Sequence, residues 1–524
     1  MSQSTPILHP LLLTSLLALS PALAGAQDVR THLVIATSNV PDILDGQLST
    51  GGFPLSHELI SQPLVRFDDD SGTFVPDLLE SFSISDDGMT MTMVLPEGAT
   101  YTNGAALDAE ALKAAMERYV AVSPYAFDYD GLTEIRVINS TTVEVDNEIG
   151  FNVMLPAFMT SFGAPWDAAA AEEAGDAFSA NPVGSGPFRI ATPWTPGLDL
   201  ELERYDGYAT SMPMVDNKGP AHIETVTVRF ISDALTRANE LEAGTVDIVS
   251  GLPASALRYM SDDPNYVISS VPLPQMTDLT FNTSRPPFDD PAVRKALAHA
   301  LDRDQLVLAL EGAATAEWGF VTPAMIAYSP EATIAAQQMY PTDADMARAA
   351  LAAAGWEDSN GDGIVDKDGV ELSVEMMIDS GSAVETGAAP VLQAQLGAVG
   401  VDARIAMVDL TTKSDQMAVG NFDMGLSGFS WADPDILTYR FTEGSSPSQY
   451  APADLAEALD AARGIADPAA RASAYLDIQV SIMEDAPSIP LLSEVLLIGA
   501  RSWVEGLKVV APDRPILNDV KITE

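Results

Sequence analysis

The stretch "NPVGSGPFRI", residues 181–190, decides how the chain is read. Gly184 and Gly186 flank Ser185, a composition shared with loops that cradle phosphate. Such a cradle needs its glycines between a strand and the N-terminus of a helix, where backbone N–H groups meet the anion. Here Pro187 and the alternating "FRIATPW" follow, and then "LDLELERYDGY". That alternation is the two-residue period of strands, so the glycines read as a turn ahead of a strand pair.

The 524 residues, 47% of them hydrophobic, suffice for two or three sizeable cores. With 26 basic and 75 acidic side chains the formal net charge is -49. This argues against nucleic acid, because phosphate binding needs a basic footprint that releases counterions. Residues 1–26 read as a secretory signal. Their apolar stretch Leu11 to Leu19 is too short to span a bilayer, and Pro21 and the small-x-small site Ala24-Gly25-Ala26 follow it. The segment before Leu11 departs from the pattern in lacking Lys and Arg. The absence of cysteine excludes disulfides, thiolate metal sites, thiol catalysis and a cysteine-anchored lipoprotein. A released, soluble protein is expected.

From Thr31 to about Thr280 strand patterns dominate. "TMTMVLPEGATYTNG" (Thr90 to Gly104) predicts a strand, a Pro-Glu-Gly turn and a second strand. Asp108 then caps a helix whose Leu112, Ala115, Met116 and Tyr119 share one face. "TEIRVINSTTVEVDN" predicts two further strands joined at Asn139-Ser140.

The character changes near Phe281. Asp290 and Pro291 open a helix with Val293, Leu297 and Leu301 in its apolar stripe, and Gly355 and Gly400 stand where helices need a left-handed residue to end. "LSVEMMI", "APVLQAQLGAVG" and "VDARIAMV" read as strand, helix and strand, a crossover unit. "FDMGLSGFSW" predicts another buried strand, two helices end near Asp485, and "IPLLSEVLLIGARSWVEGLKVV" returns to strand composition. If this last strand pairs with the first half, the chain crosses twice between two lobes.

"NPVGSGPFRI…LELERYDGY" closely resembles the "G-T-G-P-[YF] … N-x-x-Y" region of the family 5 solute-binding proteins, the peptide/nickel-type periplasmic receptors of ABC importers. Further stretches resemble that family in order along the chain: "VPDLLESFSISDDGMTMTMVLPEGATYTNG", "LTFNTSRPPFDDPAVRKALAHALDRDQLV" and "DPAARASAYLDIQVSIMEDAPSIPLL". The resemblance implies a mixed α/β, two-lobed periplasmic-binding-protein fold (type II, Venus flytrap, cluster C) with an extra subdomain in lobe one. It implies lobe I over residues 27–280 with the inserted subdomain at about 60–180, lobe II over 281–490, and a C-terminal return to lobe I over 491–524. Hinge crossings fall near Thr280 to Thr283 and Pro490 to Val495. The expected partners are a small solute, most simply a di- or oligopeptide, and the inner-membrane permease with its cytoplasmic ATPase subunits. A monomer without cofactor or bound metal is expected.

In peptide-binding members the pocket strand ends in a Trp, and an Asp three residues later holds the ligand's α-amino group. In "SGFSWADPDILTYRF" Asp433 follows Trp431 by only two residues, so Asp433 reads either as an anchor for a ligand amine or as a turn residue. Trp431 is a candidate aromatic platform. Phe429 and Tyr439 read rather as core, with Phe429 kept among the candidate ligand contacts. Trp318 lies where the family's cleft-lining loop runs, and reads equally as a surface packing residue.

"DSNGDGIVDKDG" (Asp358 to Gly369) matches the first half of a calcium loop at Asp358, Asn360, Asp362 and Gly363, but its twelfth position is Gly369 rather than a bidentate Glu, so it reads as a turn. His9, His32, His57, His222 and His299 show no spacing suited to zinc or acid/base work, and no G-x-S-x-G or S-x-x-K motif occurs. No catalysis is expected. Opine, sugar or nickel-chelate binding are the alternatives within the receptor class, and a secreted hydrolase is the alternative outside it.

Overall fold

The computed structural model describes residues 1, 30–50, 54–68, 71–510 and 514–523, so all but Met1 of the expected signal segment lies outside the described residues. At the opening stretch, Gly184 and Gly186 press against the end of the helix Leu55–Ile60. A Cβ at Gly184 would fall 2.2 Å from the Ile60 carbonyl oxygen, and one at Gly186 would fall 2.5 Å from the Ile60 carbonyl carbon. Only glycine permits this backbone approach. The Gly186 N–H donates to Ile60 O, and the Thr102 N–H donates to Gly184 O at 2.8 Å. The strands Phe188–Ile190 and Leu200–Arg204 then pair antiparallel, and the stretch is a packing turn.

Most strands join one 12-stranded sheet. From one edge the order runs Asp402–Val408, Ser373–Asp379, Met424–Ser430, Gln275–Phe281, Ser488–Arg501, Ile248–Ser250, His32–Thr37, Thr225–Phe230, Leu200–Arg204 and Phe188–Ile190. The 14-residue strand Ser488–Arg501 links the two halves. Its first residues pair with Gln275–Phe281, while Val495 to Arg501 pair with Tyr266–Pro272. Its apolar sequence is buried at both ends, but Glu494, Val495 and Leu496 between them are only half-buried. We call Gln275–Phe281 and Ser488–Arg501 the crossing strands.

The local signals behave as their chemistry requires. Asp108 Oδ1 accepts the Ala111 N–H at 3.0 Å, and Asp290 Oδ1 accepts the Ala292 N–H at 2.9 Å. Gly355 and Gly400 both stand at φ 88°. Ser373–Asp379, the helix Ala383–Gly397 and Asp402–Val408 form the crossover unit with parallel strands. One expectation is corrected. After Thr90–Val94 no second strand forms, only a single bridge between Thr100 and Ala106. The Tyr101 N–H makes one rung of that bridge to Ala105 O, but the Gly104 N–H is used inside the turn and that of Thr102 goes to Gly184, so the pairing does not extend.

Residues 64–162 build a separate core beneath a four-stranded antiparallel sheet and the helix Ala109–Val122, with Met91, Met93, Leu112, Tyr119 and Phe158 buried. Each such side chain removed from water contributes about 1.5–3 kcal/mol. This unit also touches the second lobe. Phe127 meets the ring of Tyr439 at 5.1 Å, Arg463 reaches Asp130 at 3.5 Å, and the Asn152 amide donates to Ile465 O at 2.6 Å.

Candidate functional site

In the second lobe the parallel strands Ser373–Asp379, Asp402–Val408 and Met424–Ser430 end on one side, where the helices Ala383–Gly397 and Leu410–Ala418 begin. The crevice outside the carboxyl ends of such strands is where α/β sheets bind ligands. A cleft of about 490 Å³ lies there, walled by Asp379, Glu385, Lys413, Ser427 to Ser430, Arg440, and Gln275 and Glu494 of the crossing strands. That volume suits a small solute.

The wall carries both signs of charge. Lys413 Nζ lies 2.5 Å from Glu385 Oε1, and Glu385 Oε2 accepts the Asp379 N–H. Burial pushes the Glu385 carboxyl up, against the lowering effect of these two donors. Arg440 Nη2 pairs with the fully buried Asp278 at 2.7 Å, and Nη1 donates to Ser427 Oγ and Gly428 O. Among the described residues the Glu494 carboxylate accepts only the neutral Gln275 amide, at 3.0 Å, and has no ion-pair partner. Burial pushes its carboxyl up, Gln275 opposes this, and Glu385 adds to the rise.

Of the residues expected to hold ligand, Phe429 lines this cleft, half-buried, with the Arg440 guanidinium 5.5 Å from its ring centre. Trp431 lies one residue beyond the wall at the strand end, its N–H donating to Pro274 O at 2.9 Å. Trp318 packs on the second-lobe core, 3.9 Å beneath the buried Arg303 guanidinium. Asp433 is 1% exposed, and each of its oxygens accepts from Arg471 at 2.7 Å. It does not face the cleft with an open carboxylate, because Arg471 is already its cation.

Sequence reading missed Glu385, Lys413, Arg440 and Glu494. A signal for the last was present: Glu494 is the one charge in "IPLLSEVLLIGA", and a charge in a buried run needs a polar surface or a partner. The half calcium loop closes on itself, since Asp358 accepts the N–H groups of Gly361 and Gly363 while the Asn360 amide donates to Asp362. Among the described residues no group of three or more metal-ligating side chains converges.

Two lobes sharing a sheet, with a cleft on the strands that join them, define a binding protein of the periplasmic type. The chain belongs to the bacterial extracellular solute-binding proteins, family 5, whose "Middle" model matches residues 73–449. It is 26% identical over 438 residues to the glutathione-binding protein GsiB of Salmonella paratyphi A, covering 80% of each chain. It is 29% identical over 323 residues to the oligopeptide-binding protein AppA of Bacillus subtilis, covering 58% of this chain and 55% of AppA. Among solved structures, NikA from Brucella suis in complex with Fe(III)-EDTA superposes with a TM-score of 0.82 at 22% identity, over 94% of this chain and 100% of that one. The family is the one to which the sequence motifs pointed.

Proposed function

We propose that the protein is a periplasmic receptor that captures a di- or oligopeptide and delivers it to the permease and ATPase subunits of an ABC importer. The observation that carries this is the cleft at the carboxyl ends of the second-lobe strands, walled in part by the strands that join the lobes. Ligand held there contacts the elements about which the lobes move, so occupancy shifts the balance between open and closed arrangements. GsiB and AppA, named for glutathione and oligopeptides, support a peptide over a sugar, an opine or a nickel chelate. The likeness to NikA supports the fold alone. Phe429 is a wall contact in this reading, Trp318 is a packing residue, Trp431 stands at the strand end beside the wall, and Asp433 has no ligand role. Export through a cleaved segment 1–26, a monomeric state and binding without turnover belong to the same proposal.

A thermal-shift screen of the purified protein against di- and oligopeptides, glutathione, opines, sugars and nickel chelates tests it. A solute that binds only the native state adds about 2.7 kcal/mol at a hundredfold excess over its Kd. A rise in Tm with peptides is expected. Rises only with non-peptides overturn the substrate class, and release of a hydrolysed product overturns the receptor.

A further inference from the structure

The cleft is not neutral. Lys413 is matched by Glu385 and Arg440 by Asp278 behind the wall, which leaves Glu494 and Asp379 as unmatched negative charge on it. Asp379 caps the turn at the Gly381 N–H. Glu494 is held by an amide alone, in the half-buried interval of the crossing strand. A carboxylate taken partly out of water without a cation is costly, and a ligand cation removes that cost.

Resting on the receptor reading above, we propose that Glu494 is the specificity-determining residue of the cleft, receiving the protonated primary amine of the solute. The free N-terminus of a peptide carries such an amine. A diamine carries it without a peptide bond, and an N-acetylated peptide lacks it. The position of Glu494 explains why such a residue matters to a receptor. Ala314 pairs with it on one side and Pro272 pairs with its neighbour Val495, so the amine binds where the strand leaves one lobe's pairing for the other's.

The test is calorimetric titration of the purified protein and its Glu494→Gln variant with Ala-Leu, Gly-Gly-Leu and glutathione, their N-acetylated forms, and putrescine. Gln keeps the size of the side chain and a partner for Gln275, and removes only the charge. The expected result is about 10- to 100-fold weaker binding of the free-amine peptides by the variant, the worth of one charge-assisted hydrogen bond. A similar loss is expected on N-acetylation with the wild type, and an apo Tm equal to or above that of the wild type is expected for the variant. Free-amine peptides bound equally by both proteins, or acetylated peptides bound as well as free ones, overturn the role of Glu494 and leave the peptide receptor standing. Putrescine binding that the variant abolishes, without peptide binding, overturns the peptide class and keeps Glu494. Binding of no amine-bearing probe overturns both.

Discussion

Asp433 and Arg471 form a two-pronged ion pair in which both side chains are nearly fully buried. Removing one charge from such a pair strands the other out of water. Asp433→Asn is therefore expected to lose about 3–5 kcal/mol in denaturant unfolding at pH 7 while peptide affinity stays within twofold. Lost affinity at unchanged stability would return Asp433 to the ligand. At this scale a sequence shows which residues carry charge but not which charges meet. Arg471 stands 38 positions beyond Asp433 on the helix Pro468–Asp485, so the Asp after Trp431 invited a ligand role that its partner already fills. Glu494 was legible as an anomaly within an apolar run, yet its cleft is assembled from Gln275, Asp379, Lys413 and Arg440, and no local pattern links those positions.

Elements were more legible, because their signals are local. Asp108, Asp290 with Pro291, Gly355 and Gly400 each act on their own helix within a few residues, and each stands where its chemistry demanded. The expected strand after Gly98 failed for a non-local reason, since Thr102 spends its N–H on Gly184. Close approach between elements gives a sharper test. A Cβ at Gly428 would fall 2.2 Å from the Met276 carbonyl oxygen, on the strand pair that floors the cleft. Gly428→Ala is expected to cost about 1–3 kcal/mol, measured by denaturant unfolding, and to abolish the Tm rise with peptide. Gly397, whose Cβ would meet nothing, is the contrast. Gly397→Ala is expected to stabilise by about 0.5–1 kcal/mol through the helix end alone.

At the scale of the whole molecule, acidic groups meet where the unit 64–162 touches the second lobe. Asp128 of the unit 64–162 is buried with its carboxylate accepting the Tyr119 hydroxyl, and burial pushes its pKa up to about 7, with Tyr119 opposing and Asp435 and Asp130 adding to the rise. Arg463 bridges that contact, reaching Asp435 at 2.9 Å and Asp130 at 3.5 Å. Because the folded value lies above the unfolded one, the stability this group contributes is full below about pH 4 and is lost as pH rises through about 7. Asp128→Asn should thus match the wild type in Tm near pH 4 and exceed it by a few degrees at pH 8. Equal melting at pH 8 would show that Asp128 stays ionised at little cost.

The long crossing strand has one more consequence, in the order of events during synthesis. Ser488–Arg501 follows all of its partners along the chain, Ile248–Ser250, Tyr266–Pro272, Gln275–Phe281 and Ala314–Ala316. Until the ribosome has made it, these strands present open edges, and the two halves of the sheet have no common member. A nascent chain therefore cannot lock into its final shape early. A truncation that stops short of Ser488 should yield aggregate rather than two independent lobes.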